Sequence, residues 1–146
     1  MSLDIYVFLS KTRLPSAKTW QAALNDLGTS IVLDDSFDPL HDRGFVPCKF
    51  GTAATGFEFL LDASEDLLRA NRQLANHVRP DDVCAVFTWG GDLKECAAAV
   101  SAAASLTAVA EGIMYDPQED ERFGVIEAQQ CARKTVAEIG APTASS

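Results

Sequence analysis

The stretch VCAVFTWGGDLKECAAAVSAAASLTAVAEGIMYDP, residues 83–117, decides how this chain folds. Val83, Ala85, Phe87 and Trp89 alternate with Cys84 and Val86, so a strand over 83–89 is apolar on both faces and belongs in the middle of a sheet. Gly90-Gly91 breaks it. Asp92 is placed to cap the next helix, and Glu95, three residues on, would complete a capping box. That helix, over 92–111, carries alanine on every side. A helix so small-sided and apolar all round is normally buried, lying close against a sheet and its neighbours. Gly112 ends it, Ile113-Met114-Tyr115 forms a short strand, and Asp116-Pro117 stops that strand.

Working outward, LDIYVFL over Leu3 to Leu9 is a second strand with apolar groups on both faces. Pro15 and Ser16 open a helix to Leu27, with Trp20, Ala23, Leu24 and Leu27 at helical spacing and Gly28 as its stop. A short strand covers 30–33, and Phe45–Phe50 with Thr55–Leu61 reads as a hairpin whose Phe57, Phe59 and Leu61 face inward. Leu67, Leu68, Asn71, Leu74 and Val78 define a helix over roughly 65–78. Val125, Gln129, Ala132, Val136 and Ile139 define a last one over 124–139, and 141–146 is a frayed tail. Two strand–helix–strand units imply right-handed crossovers and parallel pairing, while the hairpin adds antiparallel pairs. The expectation is one α+β domain over 1–140. It is a sandwich with a mixed sheet of about six strands, four helices packed on it, and strands 3–9 and 83–89 central.

The chain has 146 residues, 47% apolar and 23% charged, values typical of a soluble globular protein. Twenty-one acidic against twelve basic residues give a net charge of −9, which opposes binding to nucleic acid or anionic lipid. No apolar run is expected to reach the length of a membrane span. The opening MSLDIYVFLS lacks a basic leader and a small-residue cleavage site, so no signal peptide is read and a cytoplasmic location is expected. Cys48, Cys84, Cys96 and Cys131 form no CxxC pair and read as free, packed thiols.

The acids cluster in two places: Asp34, Asp35, Asp38 and Asp42, then Asp116, Glu119, Asp120 and Glu121. Both sets suit a solvated loop or a surface that meets Lys and Arg on a protein partner. The first could also hold a hard cation, although it lacks the spacing of an EF-hand. His41 beside Asp42 or near Cys48 offers a base without a surrounding catalytic signature. Gly90 and Gly91 before a helix could cradle an anion, yet GxGxxG and the P-loop Lys-Ser/Thr are absent and Asp92 already supplies a carboxylate there. Trp89 beside those glycines either seals the core or anchors a guest. The alternative is thus a small ligand-binding or metal-dependent enzyme domain with a pocket near Gly90, Gly91 and the 34–42 acidic loop, lined by His41 and Trp89. No motif implies a cofactor, and a second copy of the chain could close an open sheet face.

The run Phe87-Thr88-Trp89-Gly90-Gly91-Asp92, the alanine-rich helix, and Gly112-Ile113-Met114-Tyr115-Asp116-Pro117-Gln118 resemble small bacterial proteins of the immunity type that accompany polymorphic toxins. The resemblance spans residues 82–118 and rests on structural motifs. It implies a non-catalytic protein that neutralises a partner, here a basic toxin domain, and it brings no catalytic residues with it.

Overall fold

The two-faced strands set the architecture. Leu3–Leu9 (β1) and Val83–Trp89 (β5) pair antiparallel along their whole length, Leu3 opposite Trp89 and Leu9 opposite Val83. In the computed structural model, which describes residues 2–79 and 81–140, they lie side by side within a seven-stranded sheet. The tail expected over 141–146 falls outside the described residues. The other strands are β2 (Ile31–Leu33), β3 (Gly44–Phe50), β4 (Ala53–Ala63), β6 (Ile113–Asp116) and β7 (Glu121–Phe123), in the spatial order β2-β3-β4-β5-β1-β6-β7.

Every hydrogen-bonded strand pair is antiparallel, which corrects the expected mixed sheet. The crossover helix between β5 and β6 does join strands that run the same way. However, β1 is inserted between them and pairs with both. β1 and β2 also run in one direction, with three strands separating them. The strand–helix–strand units are therefore real, but their strands never touch. β7, the seventh strand, was not expected. It is a three-residue return whose only strand partner is β6, too short to show a period.

One face of the sheet carries three helices. Trp20, Leu24 and Leu27 of α1 (Ala17–Leu27) recur at helical spacing and are buried. Ser16 Oγ accepts from Thr19 N at 3.2 Å, and Gly28 (φ 80°) closes the helix by donating to Leu24 O. In α3 (Leu93–Ala110), residues 97–107 are all buried, packed against the sheet, α1 and α4 (Val125–Ile139). Its 18 residues and mean hydropathy of 1.3 meet the length and composition of a membrane span, contrary to expectation. In this fold that apolar surface is spent on neighbouring protein. The Trp20 indole N–H donates to Ala102 O and Ser105 Oγ, both at 3.0 Å, tying α1 to α3. Its ring meets Phe37 at a tilt and Phe59 and Phe87 edge to face, at centroid distances of 5.8–6.0 Å. After α3 the chain passes so close to β1 that a Cβ on Gly112 would sit 2.5 Å from Phe8 O.

The helix expected over 65–78 stops early. α2 covers only Ser64–Ala70; at Asn71 (φ −133°) the chain leaves the helix and continues as a 3₁₀ turn over Arg72–Leu74. The Asn71 side chain donates to Leu67 O, giving the backbone a local alternative to the helical ladder. The apolar stripe survives the break: Leu67, Leu68, Leu74 and Val78 still pack on Phe8, Cys84 and Tyr115 across the second sheet face.

If α3 must stay small, enlarging one of its buried alanines forces the layers apart. Ala104→Leu should cost about 1–3 kcal/mol, the usual penalty of overpacking, and Ala108→Leu, at a half-buried position, less. Urea denaturation of the two variants measures the difference.

Candidate functional site

The second face of the sheet is covered unevenly. Residues 64–79 shield the part made by β5, β1 and β6. Over β2, β3 and β4 no described element lies on it, and the apolar side chains there meet solvent: Phe45 is 56% exposed, Val32 47% and Leu60 42%. Pro47 and Ala54 are exposed beside them. β3 runs antiparallel to β4 with Phe45 opposite Glu58 and Pro47 opposite Gly56. The Phe45 ring rests over Gly56, where an added Cβ would lie 2.4 Å from both Phe45 Cζ and Val46 O. An exposed phenyl ring is thereby held by backbone rather than left to swing.

A groove of about 720 Å³ opens here, lined by Val32, Phe45, Pro47 and Ala54 of this face and by Leu33, Cys48 and Thr55, which alternate to the other, with Asp34, Asp35, Lys49 and Glu95 as its charged groups. A smaller cleft of about 340 Å³ adjoins it, sharing Phe45 and Glu95 and adding Glu58, Trp89 and Gly90. Among the described residues of the two linings, four carboxylates stand against one cation, Lys49. Cys48 also lines the groove, but burial pushes its thiol up to about 12, so it is protonated and a poor nucleophile at neutral pH. Burial likewise raises the thiols of Cys84, Cys96 and Cys131.

The acidic loop is built largely from its own carboxylates. Asp34 accepts from Ser36 Oγ at 2.7 Å, and Asp42 accepts from Asp38 N at 2.8 Å. Asp38 accepts from Leu40 N and pairs with His41 Nδ1 at 2.7 Å, a bond that lowers the Asp38 pKa. Arg43 donates to the carbonyls of Pro39, Leu40 and Asp42. His41 thus partners Asp38, neither Asp42 nor Cys48, and it lines neither groove. Phe37 and Pro39 anchor the loop by being buried.

The second acidic set behaves similarly. Asp116 accepts from Gln118 and Glu119 backbone N–H groups. Asp120, in left-handed backbone at φ 51°, accepts from Tyr115 Oη at 2.6 Å and Gln73 Nε2 at 2.9 Å, fastening the β6–β7 turn to the segment after α2. Glu119 and Glu121 are exposed. The two acidic loops lie at opposite edges of the seven-stranded sheet, roughly 29 Å apart at about 4.8 Å per strand. They do not form one surface.

At Gly90-Gly91 the helix start is already supplied with anions. Asp92 Oδ1 accepts from Lys94 N and Glu95 N at 2.7 and 3.1 Å. Glu95 Oε1 accepts from Gly90 N at 3.3 Å and so does not complete the expected capping box on Asp92. Trp89 is 7% exposed and belongs to the core. The pocket expected from Gly90, Gly91, His41 and Trp89 is therefore not assembled, because His41 points into its own loop. Among the described residues no three His, Cys, Asp or Glu side chains gather as a metal-ligand group.

Sequence reading missed the groove because its floor comes from β2, β3 and β4 together. The one available signal was Phe45 alternating with buried Val46, at a position facing away from the core. Family models, curated proteins and solved structures yield no match to this chain.

Gly56→Ala should destabilise the fold by about 1–3 kcal/mol, since its Cβ meets the Val46 carbonyl as well as the movable ring; thermal denaturation reads this. The Asp120 carboxylate is held below the ordinary aspartate value by its bonds from Tyr115 and Gln73. Its contribution is full above about pH 4 and is lost as pH falls through the lowered pKa. The melting-temperature gap between wild type and Asp120→Asn should therefore narrow on acidification from neutral pH.

Proposed function

We propose that this chain is a non-catalytic protein-binding module of the toxin-immunity type, which blocks a basic partner by steric cover and charge. The observation that carries this reading is the half-covered sheet face: Phe45, Val32 and Leu60 lie exposed beside carboxylates, while residues 64–79 cover the part over β5, β1 and β6. Scattered apolar side chains on a surface are ordinary, but several on one side of neighbouring strands suit a protein contact. The net charge of −9 would speed encounter with a basic surface and select against acidic ones, while the apolar groups hold the complex. The binding side is that of β2, β3 and β4 with the 34–42 loop. Glu119 and Glu121, at the far edge, lie beyond a footprint centred there.

The test is co-expression with the product of the adjacent reading frame. Restored growth of cells poisoned by that product, with co-elution of the two proteins and an association rate that falls as salt rises, is the expected result. A neighbour that is harmless, or that ignores this protein at low salt, sinks the reading.

A second reading, a small-ligand-binding domain, is favoured by the groove itself, whose volume lies within the range of about 300–1,000 Å³ common for ligand pockets. Thermal shift against divalent metals and nucleotides separates the two, because a ligand preferring the folded state raises the melting temperature.

A further inference from the structure

We propose that the groove around Phe45 receives a cationic, amphipathic segment of a partner protein, an apolar side chain flanked by Lys or Arg. This rests on the protein-binding reading above and names the site and the chemistry of its guest.

Three features converge on that occupant. The apolar floor is formed in advance. Phe45 is pinned over Gly56, Pro47 is a ring, and Val32 is β-branched, so the floor loses little side-chain freedom when covered. Charge is one-sided: Asp34, Asp35, Glu58 and Glu95 line the two clefts, with Lys49 as the one cation among the described lining residues. Carboxylates beside an apolar surface fit a guest with apolar and cationic groups in alternation, and repel an acidic one.

The fold also narrows how the guest can lie. An extended peptide cannot add itself to the sheet at the outer edge of β2, because that edge is taken. Gln21 Nε2 donates to Ile31 O at 3.0 Å, and Gln21 Oε1 accepts from Leu33 N at 2.7 Å, so one side-chain amide occupies the groups a new strand would pair with. β4 runs past β5 at residues 53–57, so docking proceeds across the face through side chains or along that stretch of β4, and not at the edge of β2. The same face already shows the first mode within the chain, where residues 64–79 lay Leu67, Leu68, Leu74 and Val78 over β1 and β5. The guest would extend that layer over β3 and β4.

The probe is a labelled twelve-residue peptide of alternating Leu and Lys, followed by fluorescence anisotropy against the whole chain. Two comparison peptides replace Leu by Ser, or Lys by Glu. The Leu/Lys peptide should bind, and both comparison peptides should bind at least about tenfold more weakly. Asp35→Lys with Glu58→Lys should weaken binding about tenfold, whereas Glu119→Lys with Glu121→Lys, at the opposite edge, should change it less than about twofold. Phe45→Ser should weaken it as well. Because that change uncovers Gly56, its circular dichroism melt is compared with wild type, and the double charge reversal carries the test if the melt is lost.

Equal binding of the Ser/Lys peptide, or equal loss from both charge reversals, would overturn the proposal by reducing the effect to net charge. Spermine raising the melting temperature as much as the peptide would overturn it in favour of a small-cation site. A dimer that Phe45→Ser turns into a monomer would assign the groove to a second copy. If the adjacent-gene partner binds and none of the groove variants weakens it, the groove assignment fails and the protein-binding reading stands.

Discussion

The close packing of α3 is the constraint on which the other elements depend. Eleven consecutive residues, 97–107, are buried, so this helix has no solvent side in its middle turns. Only small side chains let a sheet and two helices approach it from several directions at once, since the distance between helix axes is set by what lies at the contact. Alanine adds a second benefit, having the highest helix propensity and no side-chain entropy to lose. Of the polar side chains buried in α3, Thr107 donates back to Ala103 O and Ser105 donates to Ala102 O while accepting from the Trp20 indole, whereas Ser101 Oγ has no hydrogen-bond partner among the described residues. From Trp20 the aromatic contacts run through Phe37, Phe59 and Phe87. The loop after β2, the β3–β4 hairpin and the central strand are thus all referred to one helix.

Layering on that first face leaves the second face short of material. Among the described residues, 64–79 are the one segment spent there, and a short helix with a 3₁₀ turn covers only part of a seven-stranded sheet. Antiparallel sheets tolerate one solvated face when its residues alternate to polar. β3 and β4 follow that rule at Lys49 and Glu58 and break it at Phe45, Pro47 and Leu60. The edges are better defended. β2 is three residues long with its outer groups taken by Gln21, and β7 is three residues long with Glu121 and Arg122 exposed. Short, charged or capped edges are how sheets avoid unwanted pairing, and both outermost strands follow that rule.

Charge follows a different logic from the one a count of acids suggests. Asp34, Asp38, Asp42, Asp116 and Asp120 each accept hydrogen bonds within their own loop or from a neighbouring segment, so they shape the chain as well as charging its exterior. Aspartate is suited to this, because its short side chain reaches backbone donors two to four residues away. The lowered pKa values of Asp38 and Asp120 have the same origin, donors aimed at the ionised form.

Much of the local structure was legible. The strand over 83–89, the Asp92 cap, the alanine helix, the Gly28 stop and the 45–61 hairpin all follow from side-chain period and turn chemistry, which act within a few residues. The central place of β1 and β5 was legible too, because apolar groups on both faces demand cover on both. What stayed hidden were choices made between distant segments. Whether β1 lies outside or between β5 and β6 leaves each strand's own pattern unchanged, yet it decides whether the sheet is mixed or antiparallel. Likewise, the two acidic loops look alike in the sequence, and strand order alone sets them at opposite edges. Short-range chemistry therefore determined which elements form and which faces must be buried. Only the tertiary structure decided what lies beside what, because the free energy of burial depends on how much surface is covered and hardly on which neighbour covers it.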